Sequence, residues 1–170
     1  LGRHDPASIV QARKRVTAAK ESWAAVAGSE LHRLSSLNEQ FALVGESLKK
    51  LYPAGDQLGG ALCAAAAQTV QSGGVPAPML AMEVATSLLY VEAALEDADF
   101  DNPAQAERVR RLADRLYGLA DWANQKTRRD VQEMDERVKA VSFQKRDTRM
   151  VGCTGDAQIV ISNVELEKLI

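Results

Sequence analysis

The chain of 170 residues holds two imidazoles, His4 and His32, the side chains best suited to moving a proton or a phosphoryl group near neutral pH. His32 sits about 180° around a helix from the apolar seam through Leu34, Leu37 and Phe41, which predicts an exposed ring in the first turn of a helix. An exposed helical imidazole is what phosphotransfer requires: a free ring nitrogen attacks a phosphoryl group and passes it to a receiver carboxylate. His32 is therefore the one phosphoacceptor candidate, weighed against a solvated surface histidine. His4 lies near the chain start, where fraying needs no chemical explanation.

The carboxylates offer less. Glu83 and Glu92 are nine residues apart and face opposite sides of a helix, so they cannot act as a general acid and base on one substrate. Each is expected to find a polar partner or a wet groove. Asp97, Asp99 and Asp101 resemble the start of a calcium loop, but Asn102 stands where that loop needs Gly and Arg108 where it needs Glu. Helix capping and solvation explain them better. Cys63 and Cys153 have no metal-ligand spacing and read as free thiols of a reducing compartment. The run from Gly152 to Gly155 lacks the Lys and Ser/Thr of a phosphate loop. Catalytic, cofactor-binding and metal-binding residues are thus all read as none.

The elements that must carry these residues are helical. Asp5 and Pro6 form a cap and first-turn pair. Ile9, Ala12, Val16, Ala19, Trp23 and Val26 then recur three and four apart until Gly28. Leu34, Leu37, Phe41, Val44, Leu48 and Leu51 repeat the pattern up to Tyr52 and Pro53, with Ser29 as a candidate cap, so the first two helices predict an antiparallel hairpin. Asp56 opens a third helix whose small residues, Ala64 to Ala67, predict close approach to the helix that follows. That next stretch, Pro78 to Glu96, is apolar nearly all round and predicts the most buried, central helix. A membrane span fits it less well, because two carboxylates interrupt a run barely long enough to cross. Asn102 and Pro103 open a fifth helix, with Gly118 near its end, and Thr127 opens another with Val131, Met134, Val138 and Val141 as its stripe.

The fold expected is an all-α antiparallel bundle of five or six helices over residues 5–141, with an irregular tail or the start of a following segment over 142–170. A short strand at Ile159 to Ile161 is part of that tail reading. The formal charge of −2, and acids interleaved among the basic residues from Lys126 to Arg149, predict no nucleic-acid groove. The polar start of the chain predicts no signal peptide, and no direct membrane insertion is expected.

Two stretches go further than periodicity. Ser29 to Leu51, SELHRLSSLNEQFALVGESLKKL, and Ala81 to Asp97, AMEVATSLLYVEAALED, with Asp99 to Pro103 after it, resemble one known region. It is the N-terminal helical, phosphotransfer-like region of CheA-type hybrid histidine kinases of type IV pilus chemosensory systems (ChpA/PilL-like). The likeness covers about residues 20 to 120. It implies a segment of a cytoplasmic signalling kinase governing twitching motility, with receiver domains or other proteins of a chemosensory array as partners and a homodimer as an alternative. The segment itself is expected to be non-catalytic, although a full-length protein of that family would be a histidine kinase. Phosphotransfer domains present H-x-x-K-G, whereas Ser35 and Ser36 follow His32 at the Lys and Gly positions. A scaffold, docking or dimerisation module is the first reading. An active phosphotransfer domain using His32 and a free-standing helical adaptor are the alternatives.

Overall fold

The computed structural model describes residues 4–150, and their side chains through Gln144. Five α-helices follow one another: α1 (Pro6–Ala27), α2 (Leu34–Leu51), α3 (Gly55–Ser72), α4 (Pro78–Asp97) and α5 (Pro103–Met150), with a short 3₁₀ turn, Leu31–Arg33, before α2. No strand occurs among the described residues. The fold is the expected all-α bundle. The Ile159 to Ile161 strand and the rest of the tail beyond Met150 lie outside the described residues. From Ser142 to Met150, where the sequence predicts irregular structure, the chain is still helical.

The two first helices pack as the hairpin their seams predict. Asp5 Oδ1 accepts from the Ala7 amide at 3.2 Å, and Ala12, Val16, Ala19, Trp23 and Val26 are all buried. The end of α1 differs from expectation. Ser29, not Gly28, takes the left-handed conformation, with φ of 77°. Its amide donates to Val26 O at 3.0 Å and the Glu30 amide to Ala25 O at 2.9 Å, the paired closure that usually recruits glycine. Ser29 thus closes α1 and does not cap α2. The 3₁₀ turn intervenes, so His32 precedes the second α-helix and does not lie in its first turn.

The close approach of α3 is also made elsewhere than expected. It packs most extensively on α2, behind it in the chain, and only slightly on α4. The reason lies in two glycines: a Cβ on Gly59 would sit 2.7 Å from Gly45 Cα, so the helix axes cross backbone to backbone. The alanines Ala61, Ala65 and Ala66 are buried in the core beside that crossing.

The most buried helix is accordingly α3, and α4 is two-sided. Leu80, Val84, Ser87, Leu88, Val91, Ala94 and Leu95 of α4 are buried, and α4 packs on α1. On the opposite side, Met79, Met82 and Leu89 are 62%, 71% and 54% exposed. By length and composition α4 is the one helix among the described residues that could cross a membrane.

The last helix starts as predicted. Asn102 Oδ1 accepts from the Ala104 amide at 2.9 Å, with Pro103 at the first helical position. It then continues without a break through Gly118 and Thr127, although the sequence ends one helix soon after Gly118 and opens another at Thr127. A single glycine costs a helix only about 1 kcal/mol, and no proline follows Pro103. Residues up to Asn124 form one compact unit, into whose core α5 sends Val109, Leu112, Ala113, Leu116 and Ala123. The described residues from Gln125 onward belong to a second unit. Within it, Val131, Met134, Val138 and Phe143 are exposed, and Lys139 pairs with Asp135 at 2.8 Å.

Candidate functional site

His32 is exposed, as its position predicts. The two hydroxyls that follow it are turned into the backbone: Ser35 Oγ donates to His32 O at 3.3 Å and Ser36 Oγ donates to Arg33 O at 3.0 Å. In a phosphotransfer domain the corresponding positions steady the phosphoryl group with an ammonium and give the receiver room to approach. Here they supply short side chains whose hydrogens are already committed. An imidazole at this place is accessible, but Ser35 supplies no ammonium to stabilise a phosphoryl anion.

His4 is not a frayed terminal residue. Its ring meets Phe100 edge-on, with centroids 5.0 Å apart, and its Nε2 is buried without a hydrogen-bond partner among the described residues. Tyr52 meets the same phenyl ring at 4.9 Å, so the chain start is held against the turn between α4 and α5. Burial, then the neighbouring Tyr90 and Asp97, push the Tyr52 phenol well above the usual tyrosine range.

Glu83 and Glu92 of α4 face apart and each has found a cation. Lys20 Nζ lies 2.6 Å from Glu92 Oε2, tying α1 to α4. Arg115 Nε lies 3.0 Å from Glu83 Oε1, tying α5 to α4. The second contact is electrostatic only, since that buried oxygen accepts no aligned N–H. Neither glutamate is left to act on a substrate. The acidic turn is likewise occupied in capping: Asn102 Nδ2 donates to Asp99 Oδ2 at 2.9 Å. Among the described residues no group of His, Cys, Asp and Glu could hold a metal ion. Cys63 is half-buried, and burial pushes its thiol up, away from the reactive thiolate.

What sequence reasoning missed is a groove of about 600 Å³ between α4 and α5. Thr86 and Tyr90 line it from α4; Arg108, Arg111, Leu112, Asp114 and Arg115 line it from α5. Arg111 is held by Glu107 at 3.1 Å and Arg115 by Glu83, whereas Arg108 makes no ion pair among the described residues. Among the described residues the buried Tyr90 hydroxyl has no hydrogen-bond partner. Burial raises its phenol pKa, and the Arg108 charge opposes that rise. The spacing of Arg108, Arg111 and Arg115 on one helix face was available from the sequence; that it opens beside Tyr90 was not. Thr86 also belongs to the exposed face of α4, so the groove and the Met79, Met82 and Leu89 stripe are continuous.

No protein-family model, curated protein or solved structure matches this chain. The arrangement is therefore read from its own chemistry: a surface with apolar contact area, guanidiniums and a phenol, and an isolated histidine elsewhere.

Proposed function

We propose that the chain is a non-catalytic helical module, serving as scaffold or docking surface, of a cytoplasmic chemotaxis-type histidine kinase controlling type IV pili and twitching motility. The kinase context rests on the resemblance of Ser29 to Leu51 and Ala81 to Pro103. The docking role rests on one observation above the others, the exposed apolar face of α4 at Met79, Met82 and Leu89. Its partners on this reading are receiver domains or other proteins of a chemosensory array. The non-catalytic character is supported by Ser35 and Ser36, whose hydroxyls bond backbone where a phosphotransfer domain offers Lys and Gly.

The exposure of His32 favours a second reading, a working phosphotransfer domain. Incubation with a radiolabelled phosphorylated receiver separates the two. The docking module takes up no acid-labile phosphate. Label that disappears in His32→Gln would overturn it and make the chain a relay.

A further inference from the structure

Within the second unit, α5 carries an apolar stripe that lies open. Thr127, Val131, Met134, Val138 and Val141 alternate four and three apart, the a and d spacing of a coiled coil. The helix runs unbroken through all five positions, so they share one side of it. Val131, Met134 and Val138 are 63%, 53% and 45% exposed. Single exposed apolar side chains scatter over any surface, but a seam of them is a contact surface.

The flanks of the seam say what covers it. With Val131 and Val138 at a, the e and g positions hold Arg128, Asp130, Asp135 and Arg137, all exposed. Arg128 and Asp130 make no ion pair among the described residues. Asp135 uses Oδ2 on Lys139 at 2.8 Å, and Arg137 Nε is 3.9 Å from Glu133, too far for a hydrogen bond. Such pairs, one turn apart on an open surface, are weak. They leave the second carboxylate oxygen and the terminal guanidinium nitrogens to take another partner. Two copies laid antiparallel about a twofold axis stack Val131 on Met134 and Thr127 on Val138 of the other copy. The same register sets Arg128 against Asp135 and Asp130 against Arg137 of the other copy, and symmetry makes each pair twice. A parallel pairing would instead set Asp130 against Asp135 of the other copy, also twice.

We propose that residues 127–141 pair with the same residues of a second copy as a short antiparallel coiled coil. This goes beyond the docking role of α4 and does not rest on it. Residues 151–170 of the same chain suit the seam less, because they bring one cation, Lys168, to two carboxylates. An anionic bilayer would meet Asp130 on one flank and Asp135 on the other. Two heptads bury little area, so the dimer should be reversible, with a Kd of about 10–100 µM.

Sedimentation of the full chain across about 2 to 500 µM, a range that brackets this affinity, should show monomer passing to dimer. Met134→Asp should weaken the dimer roughly tenfold or more by placing a charge in the seam. Phe143→Ser, exposed but off the seam, should leave it unchanged. Asp135→Arg should weaken it about fivefold to tenfold, because both symmetry-related pairs become repulsive. Adding Arg128→Asp to that variant exchanges the two charges and should restore the dimer. Circular dichroism checks that each variant keeps its helix. A chain that stays monomeric throughout overturns the proposal, as does a dimer that Leu89→Ser abolishes and Met134→Asp does not. A dimer tightened by Asp135→Arg overturns it too, since only the parallel pairing gains from that change. Phosphate uptake by His32 would leave these results standing, so the two readings fail separately.

Discussion

Tyr52 is 5% exposed, yet its hydroxyl has no hydrogen-bond partner among the described residues. Such a group costs free energy, because its water contacts are lost and nothing replaces them. The same burial raises the phenol above its ordinary value of 10.0, with Tyr90 and Asp97 adding to the rise. The sign of the linkage follows. Below pH 10 both folded and unfolded chains keep the proton, and the stability is fully present. Above it the unfolded chain loses the proton first, so stability falls with a slope of up to ~1.4 kcal/mol per pH unit. Tyr52→Phe should keep the ring contact with Phe100 and be neutral or stabilising by about 1 kcal/mol at pH 7. Its urea midpoint should also fall less than that of the parent chain between pH 9 and 11. An alkaline loss as steep as the parent's would place the titrating group elsewhere.

Among the elements, the glycines separate what a helix needs from what a crossing needs. Gly118 lies in α5 with open space around the position of a Cβ, so Gly118→Ala should stabilise by up to about 1 kcal/mol through helix propensity alone. A Cβ on Gly45 would make an ordinary contact at 3.5 Å, whereas one on Gly59 would meet Gly45 Cα at 2.7 Å. Gly59→Ala should therefore cost roughly 1–3 kcal/mol as an overpacked interface, and Gly45→Ala close to nothing. Thermal melts of the three variants give the order directly, and a tolerant Gly59→Ala would mean that α2 and α3 do not cross there.

The same contrast explains what could be read from the chain. The seams of α1 and α2 and the caps at Asp5 and Asn102 are local patterns, and they appear where periodicity puts them. Glu83 and Glu92 point apart because helix geometry alone dictates it. The Gly45–Gly59 crossing, the left-handed Ser29 and the unbroken α5 each depend on contacts or on sums of small costs that no single residue announces. The groove at Tyr90 and Arg108 depends on which face α5 lays on α4, so no residue pattern within either helix could have shown it.

At the scale of the molecule, α4 has one apolar side in the core and a second in the open. A core helix places its apolar residues on one face, and α4 carries more of them than that face holds. The surplus is the stripe through Met79, Met82 and Leu89, which is why the proposed docking surface lies on the helix that the sequence alone would bury. Among the described residues the core beneath it ends at Ala123: every described member of the hydrophobic cluster lies in the unit that ends at Asn124. A chain ending at Asn124 keeps every described residue of that cluster, so its stability should be almost unchanged. The expected outcome is a single cooperative thermal transition by circular dichroism, within about 3 °C of the full chain's, corresponding to less than ~1 kcal/mol. A broad, early transition would mean that residues from Gln125 onward hold the bundle together, and that folding and docking have to be studied in the whole chain.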